Sequence, residues 1–218
     1  PEERARVKEG IVYALINERG GNDASRVHLA QCRWDPSLNG LNLEDVLRQR
    51  EMELTIENAA ELIMDFEYAG GCQCVYHAMS MQDVDRIMVH ARTMIASDGG
   101  VMAPGDNSPH PRNYGSFARV LGVFVRERGL LPLATAIHKM TMMPADRINL
   151  EDRGRIEVGA IADIAVFDPD EIIDTATFEE PHQYALGVYH VFVNGEAVLL
   201  DKVMTGARPG RVLRANRP

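Results

Sequence analysis

A short apolar segment, Met94-Ile95-Ala96, stops abruptly at Ser97-Asp98-Gly99-Gly100, and it limits what the chain can fold into more than any other feature. It reads as a buried strand, preceded by a helix that Ser80 opens and that carries Val84, Ile87 and Met88 on one face. A lone strand of a parallel sheet leaves its backbone hydrogen bonds unmade and its apolar neighbours exposed. Residues 80–150 are therefore expected to pack on another part of a larger protein, or to be poorly ordered by themselves. The chain begins at Pro1 rather than Met, with a charged helix-like run at once, and reads as a piece of something longer.

Upstream, Val7, Ile11, Leu15 and Ile16 recur at helical spacing over residues 1 to about 19, until Gly20-Gly21. A strand is expected over 27–30. Helices follow over 43–49, which Asn42 can cap, and from the cap Thr55 to about Tyr68. Gly70-Gly71 ends the second, and 72–76 returns as a strand. Residues 1–79 thus form a small α/β unit. Downstream of a Gly-, Pro- and Asn-rich loop, helices are expected over 114–128, 133–142 and 144–150, completing a helix–strand–helix region over 80–150. From Gly154 the texture turns to strands at 164–167, 188–193 and 197–200. Asn194-Gly195 between the last two is the signature of a type I′ hairpin turn. Residues 151–218 form this β-rich tail.

The 218 residues are 45% hydrophobic and 25% charged, enough for one or two globular domains. Asp plus Glu number 32 against 23 Lys plus Arg, a net charge of −9 that argues against nucleic acid or an anionic membrane surface as partner. No run approaches the ~20 apolar residues of a membrane span, and no secretory leader is read. Cys32 stands alone and Cys72 and Cys74 flank Gln73, without a second Cys or His pair at zinc-site spacing. All three are expected to be buried free thiols, in a reducing, cytoplasmic setting.

A carboxylate at the C-terminal end of a short strand, followed by glycines, is where α/β barrels place catalytic groups. Asp98 can accept a proton from water or bind a metal there; alternatively it makes an Asx turn. In His110-Pro111-Arg112 a guanidinium follows a rigid proline, which suits two-pronged capture of a carboxylate, though a structural ion pair needs the same residue type. His28, His77, His90, His138, His182 and His190 are scattered, with no H-x-H and no H-E-x-x-H. No Gly-rich phosphate loop and no G-x-S-x-G occurs.

Several motifs together carry a resemblance. Ser97-Asp98-Gly99, His110-Pro111-Arg112-Asn113-Tyr114-Gly115, Phe117-Ala118-Arg119-Val120-Leu121-Gly122, and Lys139-Met140-Thr141 with Pro144-Ala145 resemble the N-acyl-D-amino-acid deacylase (D-aminoacylase) family of the amidohydrolase superfamily. So do Thr177-Phe178-Glu179-Glu180-Pro181, Val193-Asn194-Gly195 and the closing 205–211. The stretch 159–168 resembles the superfamily more widely, hydantoinases and dihydroorotases included. The resemblance is strong from about Ser80 to Arg214 and weaker over 1–79.

The resemblance implies the C-terminal part of a (β/α)8 metal-dependent hydrolase barrel, with a small inserted α/β domain (1–79), the last barrel helix–strand–helix (80–150) and strands of a β-sandwich (151–218). It implies hydrolysis of N-acyl-D-amino acids, with Asp98 as general base acting on a metal-activated water, Arg112 gripping the substrate carboxylate and Gly99 beside it. The family's zinc ligands come mostly from earlier strands, so no complete metal site is expected here, with Asp98 at most a weak ligand. The expected partners are the N-terminal part of the same polypeptide and the small-molecule substrate, with neither nucleic acid nor membrane, and a homo-oligomer is compatible. The competing readings are a cyclic amidohydrolase of the dihydroorotase or hydantoinase kind and a non-catalytic binding or oligomerisation module. The His-Pro-Arg loop and the Thr-Gly-Ala-Arg-Pro-Gly tail argue against the cyclic amidohydrolase.

Overall fold

The computed structural model describes residues 2–214; the first residue of the expected opening helix and the last four of the 151–218 segment lie outside the described residues. The chain divides into two units. The first comprises residues 1–81, 100–111 and 177–182. Helix α1 (Glu2–Ala14) runs on into a wider π turn over Leu15–Arg19. Strand β1 (Val27–Gln31) pairs antiparallel with β2 (Gln73–Tyr76), and helices α2 (Leu43–Gln49) and α3 (Ile56–Ala69) lie between them in sequence. The helix starts follow from their caps. Asn42 Oδ1 accepts the N–H of Asp45 while Asp45 Oδ2 accepts the N–H of Asn42, a reciprocal capping box. Thr55 Oγ1 accepts the N–H of Asn58. Leu29, Leu43, Leu47 and Leu62 are fully enclosed at the centre of this unit.

The expectation of three free thiols is corrected. Cys32 and Cys72 form a disulfide, and Cys74 alone is free. The strand register explains the pair: Gln31 faces Gln73, so the residue after β1 meets the residue before β2, with Cα atoms 4.4 Å apart. The argument from free thiols to a reducing compartment falls with it. No helix among the described residues is long and apolar enough to cross a membrane.

The second unit comprises residues 82–99, 112–176 and 183–218. Helix α4 (Met81–Val89) leads into it. Helix α5 (Arg112–Arg119) continues as π turns over Val120–Glu127, followed by α6 (Leu133–Met140) and α7 (Met142–Arg147). The break at Thr141 falls where Pro144 withholds an N–H and its ring crowds the carbonyl four residues back. A 4-stranded antiparallel sheet runs β3 (Ile164–Phe167), β4 (Val188–Val193), β5 (Glu196–Leu200), β6 (Val203–Met204) in spatial order. Asn194 and Gly195 both take positive φ, +50° and +80°, as a type I′ turn requires.

Met94-Ile95-Ala96 is not the buried strand expected. It is half-buried to exposed, and is assigned to no strand among the described residues. The N–H of Ile95 bonds to the carbonyl of Lys139 at 3.0 Å rather than to a neighbouring strand.

Two motifs acquire packing reasons. A Cβ on Gly115 would sit 2.4 Å from the Cβ of Asp174, and one on Gly122 would sit 2.5 Å from the carbonyl oxygen of Ile172. Only glycine allows that approach. On the same helical face Arg119 pairs with the buried Asp174 at 3.0 Å, and Arg126 Nη1 donates to the carbonyl of Ile172 at 2.7 Å. Elsewhere Arg153, 8% exposed, ties three of the quoted motifs together. It pairs with Asp163 and donates to Asn194 Oδ1 at 2.6 Å; Asn194 Nδ2 in turn donates to the carbonyl of Pro209 at 2.6 Å. Arg153→Met is expected to destabilise the chain by about 2 kcal/mol, less than the ~3–5 kcal/mol of breaking a wholly buried pair, because the Asp163 carboxylate is partly in water. Urea unfolding measures it; a midpoint unchanged from the parent would show that the hub carries no stability.

Candidate active site

Asp98 and Arg112 both belong to the second unit. Asp98 takes φ +49°, a left-handed backbone that Asp tolerates better than most residues. The bend is locked by Ser97, whose Oγ accepts the N–H of Gly99 at 3.1 Å. A side chain at Gly99 would meet the carbonyl oxygen of Arg112 at 2.9 Å and Cα of Asn113 at 3.1 Å. The missing side chain thus lets the first residue of α5 lie directly against the turn. The consequence is that Arg112 Nη2 stands 3.1 Å from Asp98 Oδ2. The side chains remain accessible, Asp98 at 86% and Arg112 at 43% exposed. An ion pair so wet contributes only ~0–1 kcal/mol to folding, so stability alone gives little reason to hold these two groups together. The arrangement puts a proton acceptor and a forked cation within one small molecule's reach, open to water.

The histidines do not join this pair. In the first unit His28, His77 and His110 gather around Phe178, with the His77 and Phe178 rings 4.3 Å apart and the His28 and His77 rings 4.8 Å apart. Burial holds the His77 imidazole below its ordinary pKa, helped by His28 and Arg26 and opposed by Glu179. His182 Nε2 bonds to the carbonyl of Asn107 at 2.7 Å, and His190 Nδ1 accepts the N–H of Asp201 at 3.0 Å. No local signal marks the cluster, because its members are far apart in the chain and meet only through the β1–β2 pairing and the 100–111 and 177–182 segments. Among the described residues no group of three or more His, Cys, Asp or Glu is placed to hold a metal ion.

Residues 51–199 match the amidohydrolase family. The chain belongs to that family. Within it, the chain is 40% identical over 190 residues to a D-aminoacylase of Alcaligenes xylosoxydans xylosoxydans, covering 87% of this chain and 37% of that protein. It is 49% identical over 140 residues to an N-acyl-D-glutamate deacylase of the same organism, covering 64% of this chain and 28% of the relative. Among solved structures, the N-acyl-D-glutamate deacylase of Bordetella bronchiseptica superposes with a TM-score of 0.75 at 36% identity, over 88% of this chain and 38% of that one. That enzyme was solved with zinc and a phosphonate inhibitor that mimics the tetrahedral intermediate of the reaction. The chain spans about a third of the length of these relatives, and its mixture of helices and strands is an α/β part of the amidohydrolase fold. A zinc ion finds no ligand set among the described residues of this amidohydrolase chain: the charged neighbour of the Asp98 carboxylate is a guanidinium, not a second ligand.

Proposed function

We propose that the polypeptide carrying this chain hydrolyses the amide bond of N-acyl-D-amino acids, giving a D-amino acid and a carboxylate, and that this chain is its C-terminal part. The observation that carries the reading is the Asp98–Arg112 pair, 3.1 Å apart and open to solvent, in a chain similar to deacylases of this substrate class. The guanidinium of Arg112 takes the free carboxylate of the substrate through two parallel hydrogen bonds, replacing its contact with Asp98. Asp98 is then free to accept the proton of a water whose oxygen bonds to the acyl carbon. As the C–N bond breaks, that proton passes from Asp98 to the leaving nitrogen, which departs as the amine of the D-amino acid. Gly99 lets α5 begin against the turn, which brings Arg112 within reach of the same substrate as Asp98. Residues 1–79 are the small inserted domain, 80–150 the last helix–strand–helix of the (β/α)8 barrel, and 151–218 strands of the sandwich. The segment 94–96, assigned to no strand among the described residues, takes its ladder from the N-terminal part of the same polypeptide. The zinc that relatives hold is bound mainly by residues of that part.

The complete polypeptide is expected to release D-amino acids from N-acyl-D-amino acids and to leave the L enantiomers and cyclic hydantoins intact. Chiral chromatography of the products checks this. Faster turnover of a hydantoin than of any linear N-acyl-D-amino acid would place the protein with the cyclic amidohydrolases instead.

A further inference from the structure

Lys139 is 2% exposed, a burial that lysine tolerates only when its donors are met. Its Nζ donates to the carbonyl oxygens of His90 at 2.5 Å and Thr93 at 2.7 Å. Those carbonyls belong to the turns that follow α4, where the N–H groups of His90 and Thr93 bond back to Ile87 and His90. The main-chain carbonyl of Lys139 meanwhile accepts the N–H of Ile95 at 3.0 Å. One residue therefore grips the chain at 90, 93 and 95, with its head on one side and its backbone on the other. The next bond along is the Ser97–Gly99 lock that shapes the turn at Asp98. Ile95 packs in the same cluster as Met88, Ile137 and Met140, so the grip and the apolar contact act on the same short stretch.

We propose that Lys139 is a positioning residue for Asp98: its ammonium and its carbonyl fix residues 90–95, and through them the place from which the carboxylate reaches the attacking water. The inference rests on the reading of Asp98 as general base. A helix C-terminus would accept a cation for stability alone, and so would any pair of unpaired carbonyls. What sets this case apart is that the same residue also holds the backbone three positions before Asp98. With the ammonium gone, the Thr93 carbonyl loses that donor and the His90 carbonyl keeps only the N–H of Thr93, and 90–95 are free to shift. A shift of ~1 Å at a reacting group is worth about 10²-fold in rate.

The test uses the complete polypeptide with Lys139→Met, which keeps the length of the stem and removes the charge. Assayed well below its unfolding temperature, this variant is expected to lose at least ~10-fold in kcat with KM little changed. Amide hydrogen exchange over 93–98 should become faster. In an Asp98→Asn background Lys139→Met should cost little more, since an effect routed through Asp98 cannot be lost twice. If Lys139→Met does not fold, Lys139→Gln, which keeps a donor for one carbonyl, should show the same losses in smaller measure. An unchanged kcat per folded molecule, with only a lower melting temperature, overturns the proposal; so does unchanged exchange over 93–98, or a full additional loss on top of Asp98→Asn. Normal activity of Asp98→Asn by itself would fell the reading of Asp98 as base, whereas the exchange experiment would still report whether Lys139 holds the segment.

Discussion

Asp98→Asn in the complete polypeptide is expected to lower kcat by at least the ~10²-fold typical of a lost general base, with substrate binding little affected. The substitution is close to a pure chemical one. Asn matches Asp in size and is, with Asp, among the few residues at ease in the left-handed backbone, so the φ of +49° is kept. What is lost is the proton acceptor and the charge opposite Arg112. The charge counts for little in folding, because the pair is exposed and contributes at most ~1 kcal/mol. A variant with unchanged unfolding and collapsed turnover would therefore locate the loss in the chemistry. Near-normal turnover would remove Asp98 from the mechanism.

The second large effect concerns Arg112→Lys. Lysine keeps the positive charge but not the planar fork, and its ammonium must move to reach either oxygen of a carboxylate. A charge-assisted hydrogen bond is worth about 1.5–3 kcal/mol, or roughly ten- to more than a hundredfold in kcat/KM. The loss should depend on the substrate. An N-acyl-D-amino acid should suffer in full, while its carboxamide analogue, expected to be turned over slowly by the unsubstituted enzyme, should change far less. The Asp98 contact sharpens the contrast, because a guanidinium whose work was to pair with Asp98 would leave no difference between acid and amide. Equal losses on both substrates would make Arg112 part of the scaffold.

Where a local rule governs, the residues foretold the structure closely. Asn42 and Asp45 are three apart, and they cap α2 as such spacing allows; Asn194-Gly195 turns as that dipeptide turns elsewhere. The misses come from relations that no local window contains. The Cys32–Cys72 bond depends on the register of β1 against β2, which sets side by side residues whose sequence separation is 40. Met94–Ala96 has the composition of a buried strand, but a strand exists only with a neighbour to complete its ladder, and the residue facing Ile95 is Lys139. The edge strand β6 follows Asp201 and Lys202, both at positive φ, and a Lys there gives no turn signal. At the site, Asp98 and Arg112 were each visible as candidates. Their contact was not, since it depends on the absence of a side chain at Gly99 and on how near that lets α5 begin. Lys139 stood in a quoted motif, but a lysine seldom announces its own burial.

The division of the chain at Gly99 and Arg112 has an entropic meaning. The backbone leaves the second unit just after Asp98, contributes residues 100–111 to the first, and returns at Arg112. Asp98 and Arg112 are thus the feet of a loop, and their separation is fixed by contacts at the feet rather than by the path between them. For such a closed excursion the ordering cost grows only with the logarithm of its length, about 0.6 kcal/mol for each doubling. Insertions at 103–105, ahead of the bonds that Asp106, Asn107 and Ser108 make within the first unit, are therefore expected to cost little while acid and guanidinium stay face to face.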